Sequence, residues 1–565
     1  MLVFGDHVRR RDPRDVIEDL DARLVAIARM PRGLARHAAL VGAFIEASEL
    51  AQGLADAERA LRGVDARSPM TDAAMHVLVS LAQAIDASWT GRITQLGSWW
   101  LRVLRAVALP DRIKMKRAEG YAFYAVYPEA YIAAARRAGI VDRRVIGIRS
   151  IGTGLAALVA AASGAPLPAT LRPYGNPFAR EVSASPELVA EWSKDRHARI
   201  AIADEGPGLS GSSFGAVADL LERNGVDRTR IEMFPSHRGE PGPAASAHHR
   251  ARWAKIARHV VDADELLVTT QRLAGWVAGL VGPPVAPLED ISGGHWRARH
   301  YGREHAWPPS IVHQERRKFL VHTRDGTWLA KFVGLGRTGE HALVRARLLH
   351  AAGFTSEVAG LCHGFLVERW LDDARPLDAR AIDRTYLIER AGAYLGMRAR
   401  WVSSVGATSS TLIEMVRRNV SIAVDTSTAV RIAGRLVPRP AVAVEIDGKL
   451  QAWEWLVRGD GTLVKADAYD HHAAHDLIGC QDIAWDLVGA AIELGLDPNE
   501  QERLARRVEE EAGRSLDREL VAFMRPCYLA FQLGRATLGA QSCAGAEALR
   551  LQGAAARYAR LLIAT

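Results

Sequence analysis

Apolar residues recur at helical spacing from position 14 to about 115. Val16, Leu20, Leu24 and Ile27 mark one face, Leu40, Phe44, Leu50 and Leu54 a second, and a further run covers 75–85. The pattern predicts four or five helices, with Trp89, Trp99 and Trp100 as packing anchors, because basic and aromatic residues do not alternate there as base-stacking platforms would. Near Tyr121 the pattern changes. YAFYAVYPEAY predicts a strand and then a helix started by Pro128. Residues 144–148 read as a buried strand, followed by the loop RSIGTG and a very apolar helix over 155–162. The unit recurs as the strand IAIA at 200–203, the acids Asp204 and Glu205, a Gly/Pro/Ser loop and a helix over 214–221, with a further strand at 230–235. Such alternation predicts a parallel sheet.

A Pro/Ala/Gly/His-rich segment, a helical stretch and Pro283-Pro284 then read as a linker. Beyond it come strands at 318–322 and 328–332 around an Asp325-Gly326 turn, an amphipathic helix to about 352, an extended stretch at 365–370, a hairpin turn at 459–461 and helices from 498 onward. The expected units are a helical region at 1–115, a parallel-sheet domain at 116–275, a linker at 276–289 and a bilobal α+β domain at 290–565.

With 565 residues the chain has room for two to four domains. Its net charge of +8 comes largely from scattered Arg, which suits anionic phosphate ligands and does not single out nucleic acid. The four cysteines are far apart, with no CxxC pair, so the expected compartment is the reducing cytoplasm, without a disulfide framework or structural zinc. No signal-peptide core is visible, and no stretch reaches the roughly 18 apolar residues of a membrane span.

Two constellations carry chemistry. At the first, Asp204 and Glu205 offer carboxylates to vicinal hydroxyls, and Ser210-Gly211-Ser212-Ser213 offers small residues at a helix N-terminus, where backbone N–H groups can close on a phosphate. This stretch resembles the signature loop of type I phosphoribosyltransferases, which use phosphoribosyl pyrophosphate (PRPP). It departs from the family pattern by one extra residue and by the insert Gly206-Pro207-Gly208. The resemblance implies that Asp204 and Glu205 hold ribose hydroxyls, that 210–213 bind the 5′-phosphate, and that Arg149, Ser150, Gly152, Thr153 and Gly154 form the pyrophosphate loop with Mg2+. LRPYGNPFAREV, with Arg172, Tyr174 and Arg180, falls where the family has a hood, and His237 and Arg238 end the next strand. The family is often dimeric, which makes a homodimer an option.

At the second, Lys331 ends a strand and Glu340 opens the following helix, the parts with which a kinase neutralises phosphate charge and holds its lysine. This half resembles the aminoglycoside phosphotransferase and choline kinase-like family. The resemblance implies ATP and Mg2+, Asp447 as the group that orients or deprotonates the acceptor hydroxyl, and Glu454 and Asp467 as metal ligands. The family's His-Gly-Asp is absent, and Glu454 stands where its metal-binding Asn belongs. Asp486, in QDIAWDL, matches the residue that braces the catalytic loop. Asp470, His471, His472, His475 and Asp476 fall on an activation-segment analogue rather than a zinc site. The expectation is a two-headed enzyme joining phosphoribosyl transfer to phosphorylation of a small-molecule hydroxyl. The alternative is a non-catalytic nucleotide- and PRPP-binding sensor with a degenerate kinase domain. The acceptor has no code in the sequence.

Overall fold

The computed structural model describes residues 1–2, 4, 8–92, 97–403, 406–474 and 476–564. The first helices fall where the periodicity places them: α1 (Pro13–Arg29), α2 (Leu34–Arg62) and α3 (Pro69–Trp89). Their ends follow local chemistry. Asp12 caps α1 by accepting the Arg14 N–H at 2.8 Å, Ser68 and Thr71 form a capping box on α3, and α2 stops at Gly63, whose φ of 76° is left-handed. α2 has the length and composition of a bilayer span, yet 89% of its most apolar window is buried within the protein.

The aromatic run at 119–127 corrects one expectation. It forms a short helix, Glu119–Phe123, and a turn in which Ala125 has φ 52°, because a short run apolar on all sides fits a buried helix as well as a strand. Pro128 does open a helix, α4 (Pro128–Arg137).

The parallel sheet is as expected. β1 (Arg143–Ile148), α5 (Gly152–Ser163), β2 (Ala169–Leu171), the hairpin β3 (Tyr174–Asn176) and β4 (Ala179–Glu181), β5 (Arg199–Ala203), α6 (Ser212–Arg223), β6 (Ile231–Phe234) and β7 (Ala257–Arg258) follow in order. The five sheet strands lie in the order β2-β1-β5-β6-β7, all neighbours parallel. α5 is apolar around most of its circumference because the sheet lies on one side and α2, α3 and α4 on the others. Each fully buried Leu or Val there contributes about 1.5–3 kcal/mol.

After α7 (Arg272–Val281), a second sheet is antiparallel. It comprises β8 (Glu289–Asp290), β9 (Lys318–Thr323), β10 (Gly326–Phe332), β11 (Val358–Cys362) and β12 (Phe365–Arg369), in the order β8-β9-β10-β12-β11, with helix α8 (Arg337–Ala351) after β10. The remaining residues include α9 (Arg384–Arg398), the strands β13 (Trp455–Val457) and β14 (Leu463–Lys465), and helices α10 (Ala484–Glu493), α11 (Arg518–Ser542) and α12 (Gly545–Ile563).

One core runs from the N-terminal helices through one face of the parallel sheet to Phe319, Val321, Phe332, Phe365 and Val367 of the antiparallel sheet. A second fills the other face of the parallel sheet, and a third joins α8 to the C-terminal helices. The loop between β10 and α8 is pressed on α2: a side chain at Gly336 would meet the Gly42 Cα at 2.9 Å.

Candidate functional site

The cleft lies between the antiparallel sheet and the C-terminal half. β10 delivers Lys331 beside Leu366 of β12, and its ammonium group pairs with Asp467 and, at 3.4 Å, with Asp470. The Tyr469 ring sits 4.7 Å from the same Nζ. Asp467 adopts a left-handed φ of 52°, a region that aspartate enters more readily than most residues with a side chain. Burial pushes Lys331 down to about 8 and Glu368 of β12 up to about 7. Burial would raise Asp470 too, but Lys331 and Arg316 (3.2 Å) outweigh it and hold it below the usual carboxylate range.

Two cavities meet here. The larger, about 420 Å³, includes Lys449, Asp467, Asp470, His471, Arg535 and Tyr558 in its wall. The smaller, about 120 Å³, runs under β10 and β12 past Leu329, Glu368, Trp370 and Leu456. Lys331, Lys449, Glu454 and Asp467 line both. Glu454 is brought beside Asp467 by a hydrogen bond from the Ala466 N–H to the Glu454 carbonyl, at 2.9 Å.

The segment behind the cleft is locked. Asp486 accepts the N–H groups of Asp447 (2.6 Å) and Gly448 (2.9 Å), the bracing the sequence anticipates. Arg398 donates to the carbonyls of Glu445, Ile446 and Ala468. Burial and the Asp447 charge raise Asp486 to about 6.

Two expectations need correction. Asp447 does not open to the cavity. Its side chain is fully buried and engaged by Lys465 (3.1 Å), Tyr394 Oη (2.6 Å) and His471 Nδ1 (2.7 Å). Glu340 does not hold Lys331; it pairs with Arg23 of α1 at 2.6 Å, because the lysine turns toward the aspartates of the opposite lobe. The residue missed is Lys449, two positions after Asp447; Asp470 and His471, three and four positions after Asp467, are expected on an activation-segment analogue and instead line the cavity. His471 Nε2 is 3.7 Å from Asp467 Oδ2, and its buried ring nitrogen has no hydrogen-bond partner. Asp476 also lines the large cavity, His472 faces Glu445 at 3.6 Å, and His475 lies outside the described residues.

In the parallel-sheet half, adjacent strands bring the two predicted loops together. A side chain at Gly152 would meet the Ala203 carbonyl oxygen at 2.6 Å and Asp204 Oδ1 at 3.5 Å. Burial raises Asp204 to about 7; burial, then the Asp204 charge, raises Glu205 to about 8. The other predicted ligands are committed elsewhere. Arg149 is buried and bonded to Asp65, Asp56 (3.0 Å) and Thr170, so its guanidinium is not presented to a pyrophosphate. Arg172 joins the same network through Asp56. Thr153 is buried and Gly154 packs on Ser48 and Phe44 of α2, while Ser150 is half-buried in the turn before α5. Ser210 and Ser212 donate their hydroxyls to the Pro177 carbonyl between β3 and β4, around Gly211 in a left-handed turn; Ser212 opens α6 and Ser213 is its second residue.

No protein-family profile and no curated protein matches this sequence. Among solved structures, the chain is similar to the choline kinase LicA from Streptococcus pneumoniae at 13% identity over 53% of this chain and 99% of that one, with a TM-score of 0.35. It is similar to a choline/ethanolamine kinase family protein from Mesorhizobium loti at 18% identity over 52% and 95%, with a TM-score of 0.34. A macrolide 2′-phosphotransferase type I aligns at 15% identity over 53% and 98%, with a TM-score of 0.32. These likenesses each span about half of the chain.

Proposed function

We propose that the C-terminal half transfers a phosphoryl group from a nucleoside triphosphate to the hydroxyl of a small molecule. The supporting observation is the Lys331–Asp467 pair at the junction of two cavities, a smaller one beneath the sheet and a larger one, with Lys331, Lys449, Glu454 and Asp467 in the walls of both. In this reading the nucleoside occupies the smaller cavity and the acceptor the larger, with Lys331 and Lys449 at the transferred phosphate. Asp467, Glu454 and Asp470 supply the hard oxygen donors that suit Mg2+, which when bound neutralises phosphate charge.

Asp447 then acts through His471. A carboxylate only accepts, so the Asp447 contact fixes the proton on Nδ1 and leaves the Nε2 lone pair free. Burial, then the Lys449 charge, lowers His471 to about 4, so the ring is neutral near pH 7. The acceptor's hydroxyl proton passes to Nε2 as its oxygen bonds to the phosphorus and the nucleoside diphosphate leaves. The test is diphosphate formation from ATP and Mg2+ across a panel of amino alcohols, amino sugars and nucleosides. Acceptor-dependent turnover lost in Lys331→Met supports the reading. ATP binding without turnover on any acceptor replaces it with the sensor.

A second reading, PRPP-dependent transfer by the parallel-sheet half, has one observation in its favour: Gly152 and the Asp204–Glu205 pair share one edge of the sheet. The commitments of Arg149, Ser210 and Ser212 weigh against it. Pyrophosphate release from PRPP that disappears in Asp204→Asn would establish it, and no release with any base or amine retires it.

A further inference from the structure

Outside the lining of the cleft, three segments distant in sequence converge on one carboxylate. His37 of α2 places Nε2 2.6 Å from Glu129 Oε1, and His363, in the turn between β11 and β12, places its own Nε2 2.9 Å from the same oxygen. All three residues are buried, and their ligand atoms lie within 4.8 Å of one another. We propose that His37, Glu129 and His363 bind a divalent first-row transition ion, for which Zn2+ is the probe.

Charge is the first argument. Among the described residues two other clusters of this kind lie outside the cleft, and in each an Arg already neutralises the acid: Arg252 for Asp219 and Arg345 for Glu445. Glu129 has no such partner among the described residues. Its ion-pair contacts are the two imidazoles, and Oε2 is buried with no hydrogen-bond partner. A buried carboxylate so short of positive charge is costly. A dication supplies the charge and takes up the free oxygen.

Geometry is the second. Two imidazole nitrogens and a carboxylate are the donors of an open three-ligand site. Metal–ligand bonds of about 2.0–2.1 Å put tetrahedral ligand atoms about 3.3 Å apart, so the two histidine–glutamate spacings, 2.6 and 2.9 Å, open by roughly half an ångström on loading. Each proton now on Nε2 leaves to solvent or moves to Nδ1. His37 Nδ1 already lies 3.0 Å from Ser88 Oγ, the outer partner that orients a metal-bound histidine. His363 holds a left-handed φ of 43°, and Tyr127 Oη fixes its carbonyl at 2.9 Å, so the turn presents this ring at a conformational cost. A cavity of about 290 Å³, walled by His37, Ser88, Trp89, Trp276 and Arg272, opens on the His37 side of the cluster.

The test uses the full chain, stripped with chelator and titrated calorimetrically with Zn2+. Glu129→Gln and Ser88→Ala are compared with His472→Ala, which removes a ligand from the competing His341–Glu445–His472 group. The expected result is one equivalent bound tightly, lost in Glu129→Gln, weakened about 10–100-fold in Ser88→Ala, and kept in His472→Ala. No tight binding, or an equivalent that survives Glu129→Gln, overturns the proposal. Should Glu129→Gln fail to fold, anomalous diffraction at the zinc edge from the Zn2+-loaded native protein decides. A peak between His37, Glu129 and His363 upholds the site; its absence there removes it.

Discussion

Asp447 accepts a hydrogen bond from His471 Nδ1 at 2.7 Å, although the two residues come from different segments and only one of them reaches the cavity. On the proposed function, the contact makes the aspartate a positioning residue and leaves the histidine to meet the acceptor. Replacing His471 by Asn is expected to lower kcat by about 10²–10⁴, the usual contribution of a general base, with KM for ATP little changed. Asp447→Asn is expected to lower kcat as well, with a changed pH profile, because the amide can donate to Nδ1 and select the wrong tautomer. Steady-state kinetics from pH 6 to 9 checks both.

Lys331 and Glu340 separate what the sequence joins. Lys331→Met should abolish phosphoryl transfer and, by leaving the half-buried Asp467 without its cation while Asp470 keeps Arg316, destabilise the fold by about 1–3 kcal/mol. Glu340→Gln loses only a surface pair with Arg23 and should change stability by less than about 1 kcal/mol, with turnover intact. Urea unfolding beside an ATP-consumption assay distinguishes the two.

Asp486 ties down two successive amides. Asp486→Ala should leave the Asp447 and Gly448 N–H groups buried without an acceptor, and their hydrogen-exchange protection should fall while that of α12 is unchanged.

Asp204 and Glu205 give the stability a pH slope. Their folded-state values, about 7 and about 8, lie above those of the unfolded chain, so the native state binds more protons between the two limits. The contribution of these two groups to stability therefore falls as pH rises from about 4 to 8. Glu205→Gln should flatten that fall by an amount on the order of 2 kcal/mol. Urea unfolding at pH 5 and pH 8 reads it.

Gly147 faces the turn that begins α5. A methyl group there would meet the Gly152 carbonyl oxygen well inside contact distance. Gly147→Ala is expected to cost about 1–3 kcal/mol in urea unfolding, the usual penalty for overpacking.

What could be read in the sequence was local. The periodicity of α1 to α3, the repeated strand–loop–helix units and Pro128 at a helix start all follow from short-range patterns, whereas the bracing by Asp486, 38 and 39 residues from its partners, is implied only by the family resemblance. What could not be read was long-range. The partner of Glu340 is 317 residues away, the aspartates that hold Arg149 come from α2 and the segment after it, and the acid between His37 and His363 lies in a third segment. A motif names the side chains near a site; whether each is free for a ligand is decided by residues that the motif does not contain.

The apolar α5 is enclosed by the sheet on one side and by helices from the first 137 residues on the others, and the same core continues into the antiparallel sheet. Cutting the chain near position 289 would therefore leave two sticky fragments rather than two working modules. Whatever each half does, they must be made, inherited and destroyed together.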